Sequence, residues 1–581
     1  MAFDGIVTKL ITTELNNFIL NGKINKIFEP NKNEIILGIY NNGKNYALNC
    51  CISSDNYRIN LTTNTKPNPI NAPGFCMLLR KHLIGGKINK IYTPDLERIV
   101  IIELECYNEL NDLIIKKLII ELMGKHSNII LLNENNIIID SLRHLDSSAN
   151  SLRDILPAHP YVLPEITKHN FLSISNFDEF YKITSNLENL DLGISNTFNG
   201  ISKLFIQNII DELNVENIVN KDNLEKIYNY LVKIFSEKYF FKNLNSDYTI
   251  SLLNNNIDKT NVLNSDSFDN SNNSLNIPYL NFCLDDFYTN KEQKSEFLNY
   301  RNTILKLVEA TLKKITKKLN NINLKLKDCS NKETYKLYGE LITANIYKFK
   351  QFDLEYIEVE DYYNNNNLIK IPVDKHISPS QNAKNYYKKY NKLKNALEIV
   401  NKQKTETIEE LNYIETIIYS LENAKSVTDI DEIYSEIKEN ELFFNKKFSA
   451  AKSTKTRKTN KKADKEYVPI EYKIEGYTFL VGKNNKQNDY LSTKTAKNRD
   501  IWFHTKDIHS SHGILQTHNE KPSIEVIIRC AQIIAYYSKA RQSSNVPVDY
   551  TLAQYVKKPS GSKPGMVIYT HNTTVNVQPK Q

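Results

Sequence analysis

The sequence predicts an α+β multidomain chain. It reads as a duplicated α/β domain at the amino end, a helical hairpin domain, a long antiparallel coiled coil with a small middle domain, and a carboxyl-terminal α/β domain. Three observations carry this. Gly22-Lys-Ile-Asn-Lys-Ile-Phe28 returns as Gly86-Lys-Ile-Asn-Lys-Ile-Tyr92, 64 positions later. Two central stretches keep apolar residues at alternating spacings of three and four. Glycine and proline number only 16 and 17 in 581 residues, so long elements run uninterrupted. At about 150 residues per domain, this length suggests roughly four domains.

Residues 1–168 form the first domain. Each repeat copy leads into an apolar, β-branched run (35–39 and 99–104), with further strands expected at 118–122 and 128–133. Asn-Gly and Asn-Asn turns between such runs predict antiparallel pairing. Helices are expected at 7–21 and 74–83. The copies differ at one informative place, where Asn33-Glu34 becomes Glu97-Arg98.

Residues 169–235 read as helices around a turn at 198–202. That turn is either a packing turn or a helix-hairpin-helix turn whose amides face a phosphate. Residues 254–276 are Asn/Ser-rich and read as a loop, and 236–290 is a candidate to pack back on the first domain. Leu305, Val308, Leu312, Ile315, Leu319, Ile322 and Leu326 set one coiled-coil seam. Leu393, Leu397, Val400, Lys404, Thr407, Leu411, Ile414, Ile418 and Leu421 set the other. The hairpin spans 291–445 with its insert at 332–387. About 30 residues at 1.5 Å each give an arm of about 45 Å.

A basic linker follows at 446–468, with seven Lys/Arg between Lys452 and Lys465; it reads as a flexible tether, a phosphate-binding segment, or both. The last domain, 469–581, has strands expected at 477–481 and 567–569 and a helix at 523–540 capped by Ser523.

The net charge of +8 permits polyanion binding without establishing it. No apolar run reaches the length of a membrane span, and the charged start MAFDGIVTKLITTELNN does not resemble a signal peptide. Seven scattered cysteines without a CxxC pair indicate neither a zinc ribbon nor a disulfide frame, which suits a reducing, cytoplasmic setting. Phosphate-loop, dinucleotide, zinc-protease and serine-hydrolase motifs are all missing, so no enzyme chemistry and no cofactor are expected. His504, His509, His512 and His518 crowd together, but on a strand-turn-strand rather than one helical face. Hydrogen-bonding histidines are expected there, and no metal.

Recognition residues remain. Arg80-Lys81-His82 closes a helix, either as a cap on its dipole or as a cationic patch. Glu97-Arg98 is either an ion pair or a reading pair. Glu121-Leu-Met-Gly-Lys125-His126-Ser127-Asn128 offers Lys, His, Ser and Asn within one turn, either as a polar turn or as a contact surface. Cations and donors gathered around one domain suit a structured RNA, bound by shape and phosphates.

These motifs resemble a known family. Residues 71–83 (NAPGFCMLLRKHL), Leu96-Glu-Arg98 and residues 121–129 (ELMGKHSNI) are similar to the NFACT amino-terminal domain. Residues 500–507 (DIWFHTKD), Tyr537-Ser-Lys-Ala-Arg541, and the run from Lys557-Lys-Pro559 through Lys563-Pro-Gly-Met566 resemble its RNA-binding domain. The resemblance runs through nearly the whole chain, in order, and is to the bacterial ribosome-quality-control factors of the RqcH type.

It implies a factor that binds a large (50S) ribosomal subunit obstructed by peptidyl-tRNA. Such a factor recruits tRNA-Ala and supports alanine tailing without mRNA, while the ribosome joins the peptide bonds. It implies tRNA recognition by Glu97 (usually Asp in the family), Arg98 and Glu121, with Arg80, Lys81, Lys125, His126 and Ser127 beside them. It makes Trp502, His504, Lys506, Arg541, Lys557 and Lys558 candidates for RNA contact. It further implies a stalk-base ribosomal protein at the coiled-coil arm, a small RqcP-like RNA-binding partner, and no membrane. A fibronectin-binding surface adhesin is the alternative.

Overall fold

A computed structural model describes residues 3–108, 110–146, 153–244, 247–252, 278–349, 354–440 and 467–581. The expected loop at 254–276 and nearly all of the basic linker lie outside them. The chain divides into two units, Met1–Lys294 and Ser295–Gln581.

The first unit opens with α1 (Gly5–Ile19), β1 (Lys23–Asn31), β2 (Glu34–Asn41), β3 (Lys44–Cys51) and β4 (Arg58–Leu61). Then come α2 (Gly74–Leu83), β5 (Lys87–Tyr92), β6 (Ile99–Tyr107), β7 (Leu113–Glu121), β8 (Asn128–Leu132) and β9 (Ile138–Ser141). Helix α1 starts two residues before its expected position, because Asp4 caps it by accepting from the Val7 amide at 3.1 Å.

The nine strands form one sheet in the order β4-β3-β2-β1-β5-β6-β7-β8-β9, so the two copies meet at its centre. There the repeat pairs with itself. Ile24 N donates to Gly86 O and Ile88 N to Gly22 O, both at 2.9 Å, a two-fold exchange between equivalent positions. The ladder also slips at the same place in both copies, skipping Asn25 and Asn89. Between β2 and β3, Asn42 (φ 48°) and Gly43 (φ 79°) adopt the left-handed pair that an Asn-Gly hairpin turn requires.

Helices α3 (Phe177–Thr184), α4 (Leu190–Thr197), α5 (Lys203–Leu213) and α6 (Lys221–Lys233) follow, then the hairpin β10 (Tyr239–Asn243) and β11 (Tyr248–Leu252). One apolar core joins α1, the sheet, these helices, β11 and the start of α7 (Tyr279–Ser330). Polar ties reinforce it: Glu14 accepts from the Leu280 amide at 3.0 Å, and Arg58 meets Glu292 at 2.9 Å.

In the second unit α7 is followed by α8 (Lys332–Ala344), β12 (Tyr356–Asp361), β13 (Asn367–Pro372), α9 (Pro379–Asn423) and α10 (Val427–Glu439). The seam pattern holds along both long helices. Val308, Ile315 and Ile322 are buried and Leu305, Leu312, Leu319 and Leu326 half-buried. Opposite, Val400, Thr407, Ile414 and Leu421 are buried, with Leu393, Leu397, Lys404, Leu411 and Ile418 half-buried. Lys318 meets Glu410 at 3.1 Å, while Tyr300 reaches Asp431, beyond the end of α9, so α7 and α9 run antiparallel. With 52 residues, α7 is about 78 Å long, more than the heptads alone predict. The insert has its own small core, in which Leu341 and Ile342 of α8 pack on Ile357, Val359 and Ile371.

The remaining elements are β14 (Ile470–Ile474), β15 (Tyr477–Val481), α11 (Asn485–Tyr490), β16 (Ile501–Thr505), β17 (Gly513–Gln516), α12 (Ile524–Tyr536), β18 (Val546–Leu552), β19 (Val556–Lys557), β20 (Ile568–Tyr569) and β21 (Thr573–Val577). Six of the strands build an antiparallel sheet in the order β14-β15-β17-β16-β18-β21, with α12 packed on one face.

Two expectations need correction here. The helix expected to reach residue 540 stops at Tyr536. Ser538 turns its hydroxyl back to Ala535 O at 2.7 Å, and the next residues pair with 509–511 instead of continuing the helix. The strand expected at 567–569 shrinks to Ile568–Tyr569, paired only with β19.

Candidate functional site

Where β6 begins and β7 ends, Leu122 N donates to Arg98 O at 2.8 Å, and several loops converge. The turn before Glu97 is tight: Asp95 is left-handed (φ 48°) and the Glu97 amide donates to Pro94 O at 2.9 Å. Against it packs the 198–202 turn, whose Asn199 side-chain amide donates to the Glu97 carboxylate. Arg98 hydrogen-bonds the buried hydroxyl of Tyr57, and its charge opposes the upward push that burial gives that phenol.

Of the two readings of the 198–202 turn, packing is what the structure contains. Ser202 gives both its hydroxyl (2.6 Å) and its amide (3.3 Å) to Asp4, so a carboxylate of this chain already occupies the amino end of α5.

Gly124 (φ 62°) opens a short 3-10 turn that leaves Lys125 and His126 exposed. Two residues hold this turn from beneath. Ser127 is 1 % exposed and accepts from the Met123 amide at 2.8 Å. Arg143 donates to the carbonyls of Lys125 (3.3 Å) and Ser127 (3.1 Å), and also to Asn33 Oδ1 (2.8 Å) and Ile52 O (3.0 Å). The guanidinium therefore ties the second copy's turn to the first copy's loops.

Glu121 is wholly buried. Arg153 donates to both of its oxygens, at 3.0 and 3.1 Å, and the Tyr161 hydroxyl donates to Oε1 at 2.8 Å. Glu121 and Ser127, expected at an RNA surface, are thus interior supports; a carboxylate inside the sheet is stable only when paired this way. Arg80 is also tied down, donating through Nε to Ile27 O at 2.9 Å, while Lys81 is exposed. The residues that position this end of the sheet (Tyr57, Arg143, Arg153, Tyr161 and Asn199) carry no local sequence signal.

In the carboxyl-terminal domain the expected contacts divide in the same way. Trp502 is 1 % exposed, because alternation along β16 sends Phe503 under α12 and Trp502 into the opposite layer, among Leu480, Leu491 and Ile514. This corrects its expected place on an RNA surface. Its indole N–H donates to Ser492 Oγ at 3.0 Å, and Ser492 lies 2.7 Å from His512 Nδ1. Burial, with His504 beside it, holds His512 well below the ordinary imidazole range, so its ring is neutral.

His504 stacks on Trp502 (5.7 Å, 13°), and burial pulls its pKa down to about 4. Lys506 and Lys557 are exposed. Lys558 pairs with Asp489 at 2.8 Å, and Arg541 folds over the Tyr536 ring at 3.8 Å.

Among the described residues one cluster has the composition of a metal site, Glu34, Cys51 and Glu292. Its carboxylates are already held by Arg58 and Lys66, the latter 2.7 Å from each acid. Among the described residues no helix is long and apolar enough to cross a membrane.

The model of the NFACT N-terminal and middle domains matches residues 4–458, and that of the NFACT protein RNA binding domain matches residues 465–570. The chain belongs to the NFACT family. Among its relatives, the Rqc2 homolog RqcH of Bacillus subtilis (strain 168) is 37% identical over 585 residues, covering 100% of this chain and 98% of that protein. The RqcH of Streptococcus suis (strain 05ZYH33) is 32% identical, covering 100% and 99%. A solved structure, the C-terminal part of the fibronectin/fibrinogen-binding protein from Streptococcus suis, covers 49% of this chain and 96% of its own at 33% identity, with a TM-score of 0.37. Within the NFACT frame, the loops around Arg98 and Lys125 belong to the amino-terminal module, and the Trp502 layer to the RNA-binding one.

Proposed function

We propose that this protein is a ribosome-quality-control factor that works in the cytoplasm. It binds large (50S) ribosomal subunits obstructed by peptidyl-tRNA, recruits tRNA-Ala, and directs mRNA-independent alanine tailing of the stalled chain. The observation that carries this reading is the convergence of Glu97, Arg98 and the exposed Lys125–His126 turn at one end of the amino-terminal sheet, in a chain that also has an RNA-binding domain. Arg98, oriented by Tyr57, supplies a fixed fork of donors for base edges or phosphate. Lys125, with Lys81 on the exposed face of α2, supplies phosphate contacts.

Glu121 and Ser127 serve as positioning residues. The peptide bonds are made by the ribosome's own centre. The long hairpin of α7 and α9 gives the reach for a stalk-base ribosomal protein, and an RqcP-like protein is the expected companion in moving tRNA.

The test is a tailing reaction on purified obstructed subunits with Arg98→Ala. Tailing and tRNA-Ala co-purification are expected to fall to background while the protein still melts cooperatively, with a stability loss of no more than about 1–3 kcal/mol from the Tyr57 hydroxyl left without its partner. Unchanged tailing with this variant overturns the reading.

A further inference from the structure

A cavity of about 810 Å3 lies in the second unit between α9 and the carboxyl-terminal sheet, within the roughly 300–1,000 Å3 of ordinary ligand sites. Three chemically different walls face it. The first is aromatic: His504 stacked on Trp502, and Tyr569 tilted against the same indole at 4.8 Å. The second is acidic, with Glu406, Glu409 and Glu410 of α9.

The third is the loop 559–566, bent by two left-handed glycines, Gly561 (φ 77°) and Gly565 (φ 74°). This loop delivers Lys563, whose ammonium sits over the Tyr413 ring at 4.6 Å. The Lys563 nitrogen is shut off from solvent, yet it has no hydrogen-bond acceptor among the described residues. Such a donor costs stability unless a ligand takes its protons.

A free phosphate fits poorly beside three carboxylates. A metal ion fits poorly because, among the described residues, the histidines and carboxylates of this cavity do not bring three ligand atoms together. A flat group with an amine edge and a carbonyl edge satisfies all three walls at once. Unpaired RNA bases stack on aromatic rings and are read on their edges. Carboxylates accept from amino groups, and lysine donates to O6 and N7 of guanine.

We propose that this cavity takes one unpaired guanine from single-stranded or bulged RNA, stacked against His504 and Tyr569, with the buried Trp502 ring behind them as their support. Glu409 and Glu410 accept from its N1 and N2 protons, Lys563 donates to O6 and N7, and exposed Lys557 lies beside the loop for the adjoining phosphate. This rests on the RNA-binding reading of the domain and adds a base preference to it.

Trp502 is the only tryptophan in the chain, so its fluorescence reports on this wall alone. Titrating the full-length protein with the pentanucleotides UUGUU and UUUUU is expected to show saturable quenching, with UUGUU bound at least about tenfold more tightly. Lys563→Met, and the double variant Glu409→Gln/Glu410→Gln, are expected to shrink that ratio to about threefold or less, with melting curves and binding of a mixed-sequence 30-nucleotide RNA retained. Equal affinity for both pentamers, or a ratio untouched by the variants, overturns the guanine site while 30-mer binding leaves the domain's RNA binding standing. Loss of 30-mer binding in the unmodified protein overturns both.

Discussion

Arg153 grips Glu121 with two parallel hydrogen bonds, to Oε1 at 3.0 Å and to Oε2 at 3.1 Å, and the carboxylate has no exposed surface. Such a pair is expensive to break from one side only, since the abandoned ion stays buried. Arg153→Met is therefore expected to destabilise the amino-terminal unit by about 3–5 kcal/mol. Arg153→Lys should recover only part of this, because an ammonium lacks the planar fork. Urea unfolding followed by far-UV circular dichroism measures both, and a loss below about 1 kcal/mol in Arg153→Met refutes the assignment.

Glu436 gives a pH dependence of defined sign. Its carboxylate is 2 % exposed and accepts from Tyr413 Oη at 2.6 Å and Asn485 Nδ2 at 3.0 Å, and burial pushes its pKa up to about 7. Between about pH 4.5 and pH 7 the native state keeps a proton that the unfolded state has lost. This contribution is complete below pH 4.5 and is lost as pH rises through 7, by about 3 kcal/mol in all. Glu436→Gln is expected to flatten this stretch and to be the more stable form at pH 8, read from Trp502 fluorescence melts at pH 5 and pH 8. A wild-type protein at least as stable at pH 8 as the variant contradicts it.

The carbonyl of Leu96 lies between two glycines. A Cβ on either Gly5 or Gly200 would come within 1.9 Å of that oxygen, and Gly200 is also left-handed at φ 71°. Gly200→Ala must push the Leu96–Glu97 turn away from Asn199, costing at least about 1–3 kcal/mol in stability. Denaturant midpoints test this. If the turn matters for RNA, tRNA affinity should fall as well, beyond what the lower stability alone explains.

The parts of this molecule legible in its sequence are those set by periodicity. The Gly-Lys-Ile-Asn-Lys-Ile repeat identified a duplication whose copies pair across the sheet centre, and the three-four spacing identified both seams, including polar Lys404 and Thr407. What stayed hidden were partners far apart in the chain and the sidedness of polar residues. Glu97 and Asn199 stand 102 positions apart, and Arg143 reaches back to Asn33 and Ile52. Glu121, Ser127 and Trp502 have types that suit a surface, but their strands and turns point them inward. Nothing local tells a reading residue from the one that holds it in place.

That difference separates neighbours in a single turn. Lys125 and His126 are exposed, whereas Ser127 is buried and satisfies the Met123 amide. Lys125→Ala is expected to leave stability within about 0.5 kcal/mol. It should weaken tRNA binding at every salt concentration tested and lower the slope of log affinity against log salt by about one. Ser127→Ala should instead cost about 1–3 kcal/mol of stability, because a buried amide loses its acceptor. Its binding should fall only as far as the folded fraction does. Filter binding from 50 to 300 mM salt, paired with urea melts, distinguishes the two residues. A changed salt slope in Ser127→Ala, or an unchanged one in Lys125→Ala, would reverse the roles given to them here.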